Sequence, residues 1–257
     1  MATESTDAEA GHAEGGIPDP MHQFEIHPIG GKIELGGLDI SFTNSSLWMV
    51  ITAVLVTTLL MIGMRSRSLV PGRLQSVAEV FYETIANMVR DNVGKEGRAY
   101  FPFIFTLFMF VLFGNLLGLL PGSFTFTSHI IVTFAMAIVV FVATTIIGFA
   151  VHGTHYLRMF FPHGAPAWTA VILVPIELVS YLSRPISLSV RLFANMTVGH
   201  VLFKVIAGFV ILMGVAGVVP FLFLIGITAL EILVAILQAY VFTILSCVYL
   251  HDAIHMH

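Results

Sequence analysis

Hydrophobicity along this chain comes in long blocks, not in the short alternation of half-buried strands. Residues 47–64 are almost wholly apolar and match the ~18–20 residues that one membrane crossing needs. Residues 100–120, closed by Pro121 and Gly122, predict a second span, and residues 130–151 a third. Between the first two, Leu74, Val77, Val80, Phe81, Ile85 and Val89 recur at helical spacing, with Gln75, Glu79, Glu83, Asn87, Arg90 and Asp91 in the gaps. That pattern predicts an amphipathic helix over 73–93, lying at the interface or packed on the bundle. Two longer blocks follow, 168–213 and 218–250. The first would run about 68 Å as a helix, against a hydrocarbon core of ~30 Å. It reads as two spans or as one strongly oblique helix. Pro175, Pro185, Gly199 and Gly208 are its weak points.

These blocks predict an all-α polytopic membrane protein with about five membrane helices and one amphipathic helix. A single membrane domain, 47–257, follows a polar segment, 1–46. Composition agrees: 57% of residues are hydrophobic and only 10% charged. Soluble domains carry about 25%. The net charge of −4 hides a segregation. Residues 1–46 hold Glu4, Asp7, Glu9, Glu14, Asp19, Glu25, Glu34 and Asp39 against the single base Lys32. They read as an acidic tail, partly disordered at its start. No basic patch points to nucleic acid, and Cys247, the one cysteine, excludes an internal disulfide. His22 and His27 have no further ligand to complete a metal site, and no glycine-rich phosphate loop is present for ATP.

Bases in short loops set orientation. Arg65, Arg67, Arg73, Arg90, Lys95, Arg98 and Arg158 fall on one side if 73–93 does not cross, whereas the loops near 123–128 and 214–217 carry no charge. The basic side is then cytoplasmic. The tail lies outside, and the C-terminal end inside.

Polar residues within the long blocks carry the candidate chemistry. Glu177, Arg184 and Arg191 are spaced by seven, so on a helix each drifts only ~20° from the last. Asn195 stays near that stripe, Ser180 and Ser187 fall on its edge, and His200 points close to the opposite face. In the last block Glu231 and Gln238 are also seven apart, with Tyr249 on the same line. A charge at mid-bilayer costs roughly 2.5–3.5 kcal/mol and needs a partner or a water-filled cavity. Mutual pairing that holds the bundle together is the alternative to a functional role. For Arg184 both readings stay open. Snorkelling suffices for Lys204, and helix packing for the two serines. Arg191, Glu177 and Glu231 read as functional, because they lie too deep for all to snorkel. A guanidinium, moreover, cannot shed its proton.

The run Ser183-Arg184-Pro185-Ile186-Ser187-Leu188, continuing to Arg191-Leu192-Phe193-Ala194-Asn195-Met196 and Gly199-His200, resembles the subunit a family of F-type ATP synthases. Leu237-Gln238-Ala239-Tyr240-Val241-Phe242 resembles its second signature, and Asn115 with Leu119-Leu120-Pro121 a third. The resemblance covers roughly residues 20–250. It implies an oblique hairpin of two long helices set against a rotating ring of c subunits, with peripheral stalk b subunits as further partners and no cofactor. It implies that Arg191 is the essential ring-facing charge, with Asn195 and Gln238 as polar neighbours. Glu177 would serve the cytoplasmic half-channel, and His200 and Glu231 the opposite one. Some bacterial relatives carry Glu and His exchanged at these last two positions. The present order resembles mitochondrial and alphaproteobacterial-type members. The expected location is a bacterial inner membrane.

Two other classes compete. A self-contained secondary transporter would show an internal repeat, and none is visible. A haem-binding subunit needs facing histidine pairs, and only His129 and His200 fall near apolar blocks. An antiparallel hairpin turning near 214–217 also places position 200 opposite 231, so His200 and Glu231 are expected close together.

The orientation is testable. A cysteine introduced at Ser5 should react with a membrane-impermeant thiol reagent only from outside the cell. Labelling only from the cytoplasmic face would reverse the topology.

Overall fold

The computed structural model describes residues 22–29, 34–35, 38–39, 41–65, 72–120, 122–160 and 170–255. The acidic positions Glu4, Asp7, Glu9, Glu14 and Asp19, together with Lys32, Arg67, Pro121, His163 and Trp168, lie outside the described residues. Among the described residues there are six α-helices: α1 Asn44–Gly63, α2 Arg73–Val93, α3 Phe101–Gly118, α4 Ile130–His152, α5 Ala170–Leu212 and α6 Val218–Ile254. Five helical stretches are long and apolar enough to cross a membrane, and α2 is not one of them. The protein is an all-α, multi-pass membrane protein, as its apolar blocks predict. One two-residue antiparallel pairing, Glu34–Leu35 with Leu38–Asp39, is the exception near the N-terminus.

Each boundary has a local cause. Thr43 caps α1, its hydroxyl accepting from the Ser46 amide at 3.4 Å, so the first span starts three residues before the apolar block. Gly94 follows α2 with φ +87°, a left-handed turn that suits glycine. Gly153 ends α4 in the same way, at φ +58°. A short 3-10 turn over Gly214–Gly217 reverses the chain between α5 and α6.

The long blocks are single helices. α5 runs unbroken for 43 residues through Pro175 and Pro185, and α6 for 37. At 1.5 Å per residue these are about 65 Å and 55 Å long. Neither fits upright in a ~30 Å hydrocarbon core, so both must lie oblique to it. This resolves the choice between two spans and one.

α6 is the hub, packing on α2, α3, α4 and α5. Its buried side holds Ala235, Ala239, Phe242, Cys247 and Leu250. Against these lie Ile104, Met109, Val111 and Leu112 of α3, and Leu188, Leu192 and Met196 of α5. The small residues Ala235 and Ala239 let the helices approach closely, as membrane helix packing favours. Four buried hydroxyls are satisfied within their own helices: Thr52 donates to Trp48 O, Thr144 to Val140 O, Thr243 to Ala239 O and Ser246 to Phe242 O. No water is needed at those positions.

The amphipathic helix α2 behaves differently in its two halves. Ile85, Met88, Val89 and Val93 are buried in the core. Leu74, Val77 and Val80, from the same expected apolar face, are exposed. The C-terminal half enters the core, whereas the first half meets α1 through Ala78 beside Gly63 and turns Leu74, Val77 and Val80 outward.

Before α1 the chain forms a short strap. Asn44 holds it, its side chain donating to Glu25 O at 3.0 Å and accepting from the His27 amide at 3.3 Å. Backbone bonds Asn44 N to His27 O and Ile29 N to Phe42 O complete the tie. A 3-10 turn, His22–Phe24, lies just beyond it.

Candidate functional site

The antiparallel pairing of α5 and α6 sets three cross-contacts: 184 with 252, 195 with 238, and 199 with 231. They divide the polar residues of the hairpin into two groups. Arg191 stands between them.

The group nearer the α5–α6 turn contains Asn195, His200, Glu231 and Gln238. Asn195 Nδ2 donates to Gln238 Oε1 at 2.7 Å. Gln238 is 3% exposed and its Nε2 is buried without a protein partner among the described residues. Glu231, 8% exposed, likewise has a buried, unpartnered Oε1. That carboxylate fits because Gly199 faces it. A Cβ at position 199 would stand 2.7 Å from Glu231 Oε1, closer than side chains tolerate. His200 and Glu231 line one cavity of about 280 Å³, together with Asn195, Gly199 and Ile227. The hairpin register therefore brings His200 and Glu231 to the same space, as expected from their numbers.

The loop between α3 and α4 supplies a partner that sequence reasoning missed. Thr125 donates its one hydroxyl proton to Gly118 O at 2.9 Å. The 3.0 Å contact of Thr125 Oγ1 with His200 Nε2 must therefore be accepted by the threonine. His200 carries its proton on Nε2, and Nδ1 is the open acceptor. Asn115 reaches the same part of α6, donating to Ala235 O at 3.3 Å, a turn from both Glu231 and Gln238. The signal was the hydroxyl-rich loop Thr125–Ser128, charge-free yet placed at the end of two spans.

At the other end, Arg184 pairs with Asp252, Nη1 to Oδ2 3.0 Å. Its guanidinium also lies 5.5 Å from the Tyr181 ring centroid and 5.2 Å from that of Tyr249, within cation–π range. Thr145 donates to Phe141 O, so its 2.5 Å contact with Tyr181 makes the tyrosine the donor. Tyr156 then donates to Tyr181 at 3.3 Å. The question left open for Arg184 thus has an answer: it is paired, and it clasps the start of α5 to the end of α6. Sequence reasoning did not single out Asp252, which follows the last apolar block, and did not pair it. Glu177 is half-buried on α5, and no hydrogen bond or ion pair joins it to this group among the described residues.

Arg191 belongs to neither group. It is exposed, and among the described residues no ion pair involves it. The exposed side of the hairpin is largely apolar, with Ile186, Val190, Val198 and Leu202 of α5 and Leu230, Leu233, Leu237 and Tyr240 of α6, and Ser187 and Asn195 flank Arg191 one turn to either side. Lys204 lies one turn beyond His200. Among the described residues there is no cluster of three metal-ligating side chains.

These features define a class: a multi-pass membrane protein whose oblique two-helix hairpin holds two polar groups, the one nearer its turn partly buried, and presents an arginine with no ion pair among the described residues on a largely apolar face. The particular family follows from comparison. Residues 46–251 match the model of the ATP synthase A chain family. The chain is 67% identical to an ATP synthase subunit a of Paramagnetospirillum magneticum, over 94% of this chain and 100% of that one. It is 64% identical to one of Rhodospirillum rubrum, over 93% and 99%. A third, from Parvibaculum lavamentivorans, is 56% identical over 94% and 95%. The chain belongs to the ATP synthase A chain family.

The Gly199–Glu231 contact is open to test. Gly199→Ala should displace the carboxylate, an overpacking worth about 1–3 kcal/mol, and so lower proton-driven ATP synthesis roughly tenfold in membrane vesicles. Gly199→Ala combined with Glu231→Asp, whose shorter side chain restores the space, should recover part of that loss. A Gly199→Ala variant with full activity would show that the fit is not needed.

Proposed function

We propose that this chain is the proton-translocating stator subunit of an F-type ATP synthase, providing two half-channels to a rotating c-ring. It does no chemistry on ATP itself. The carrying observation is the exposed Arg191, a permanent cation with no ion pair among the described residues on a largely apolar face. A fixed charge in such a setting calls for an opposite charge from a neighbour. A protonatable carboxylate on each ring subunit meets that requirement.

The mechanism follows from charge. A ring carboxylate arriving beside Arg191 is held ionised by the guanidinium. Its proton leaves through one water path, and the next ring site takes a proton from the other. His200, Glu231, Asn195 and Gln238 belong to the path on the side of the α5–α6 turn. Glu177 belongs to the path on the side of the Arg184–Asp252 clasp. Because Arg191 stands between them, a proton cannot pass directly from one path to the other. Each proton crossing supplies about 2.3 kcal/mol per 100 mV, so several must be summed through rotation for each ATP.

The positions of the bases support a reading with the Arg65, Arg73 and Arg98 side in the cytoplasm of a bacterial cell and the strap before α1 outside its inner membrane. The C-terminal end is then cytoplasmic. The outward-facing residues of α1 and of the first half of α2 are available for lipid and for the b subunits of the peripheral stalk.

Arg191→Ala should abolish ATP synthesis driven by a proton gradient in reconstituted vesicles, and passive proton leak should rise. Arg191→Lys keeps the charge and loses the planar fork, and severe loss is expected there too. Synthesis by Arg191→Ala at near the wild-type rate would overturn the assignment.

A further inference from the structure

One histidine, on the turn before α4, has no part in the mechanism above. His129 is the residue before α4, yet its side chain makes no capping hydrogen bond. Instead its ring stacks on Phe124, with centroids 5.1 Å apart and planes 18° from parallel. Its Nε2 is buried and meets no protein hydrogen-bond partner among the described residues. A buried polar atom left unpaired costs about 1–3 kcal/mol, so its retention calls for a reason other than packing.

Phe24 neighbours both this ring and His200. The Phe24 centroid is 6.5 Å from that of His129 and 6.4 Å from that of His200, edge-on to both. The strap fixed by Asn44 carries Phe24 to this place. The turn bearing His129 is also tied to α5: Thr197 donates to Ser128 O at 3.2 Å, and Thr125 bonds His200. Two imidazoles are thus held at fixed positions, each beside the same phenyl ring.

We propose that His129 is a further proton-carrying residue of the outer half-channel, taking protons from the water outside and passing them, alongside Phe24, to His200. This rests on the half-channel reading given above. The partly exposed ring takes up a proton to become the imidazolium and releases it on the His200 side. Nδ1 of His200 is free to accept it, and His129 returns to its neutral form. Burial holds the His129 pKa below its ordinary value, so a proton once taken up is readily given up again. The groups facing it are the Phe24 and Phe124 rings. Beyond Phe24 the titratable and charged groups are His200, Lys204 on the next turn of α5, and Glu231 of α6.

The test uses the complete ATP synthase, purified with His129→Phe or His129→Gln and reconstituted in liposomes under a fixed potassium diffusion potential. ATP synthesis is measured while the pH on the proton-supplying side is varied from about 6 to about 8.5, the range in which histidine titrates. His129→Phe keeps the stack on Phe124 and His129→Gln keeps a polar side chain, but neither carries a proton. Both should run near the wild-type rate at the acid end, where protons are abundant. Both should fall about tenfold below it at the alkaline end, where supply limits and a positioned proton carrier matters most. Wild-type rates at every pH would overturn the proposal. A loss equal at all pH values would also overturn it, by showing a purely structural role. Arg191→Ala in the same vesicles reports separately on the half-channel reading, which the failure of His129 would leave intact.

Discussion

A guanidinium cannot be neutralised by losing its proton, and that of Arg191 stands on a largely apolar, outward face with no ion pair among the described residues. The rest of the structure can be understood as what makes that position tolerable and useful. The hairpin helices are far longer than the bilayer core is thick, so they lie oblique and expose a broad apolar surface. Arg191 sits in that surface, with polar groups before it and after it along α5. Had Arg191 been paired within the chain, as Arg184 is with Asp252, its charge would be spent on holding helices together. The contrast between these two arginines, seven residues apart on one helix, separates fastening from function.

The same logic explains the buried polar atoms. Most hydroxyls in the core satisfy themselves on their own helix, the quiet solution in a membrane. Glu231, Gln238 and Asn115 do not: each keeps a buried polar atom without a protein partner. All three cluster on or against one stretch of α6. Glycine at 199 leaves room for the carboxylate, and Thr125 fixes which nitrogen of His200 holds the proton. A network left incomplete in protein terms is what a water-filled proton path requires.

Much of this was legible in the sequence, for physical reasons. Apolar runs report spans because lipid forces every backbone group to bond within its own helix. The seven-residue spacing of Arg184, Arg191, Glu231 and Gln238 reports faces, because seven residues nearly close two turns. The hairpin register followed from the place of the turn, which put His200 opposite Glu231. What was not legible depends on contacts between distant segments. The partner of Arg184 is 68 positions away at the far end of α6, and nothing local in the chain marks Asp252 for it. Thr125 and Phe24 reach His200 from a loop and from a strap whose paths no periodicity encodes. The outward turn of Leu74, Val77 and Val80 on α2, beside the buried Ala78, is likewise not marked by its own pattern.

The central claim is that the Arg191 face meets a second, rotating protein surface. Site-directed cross-linking in the assembled complex tests it most directly. With buried Cys247 replaced by serine, single cysteines are placed at Val190, Val198 or Leu233 on the exposed face, or at the buried Ala235. Each is combined with a cysteine flanking the ring carboxylate and oxidised. Disulfide-linked products with the ring subunit should form from the three exposed positions and not from Ala235. If none of the exposed positions cross-links while all react with a lipid-soluble thiol reagent, that face meets lipid and the account is wrong.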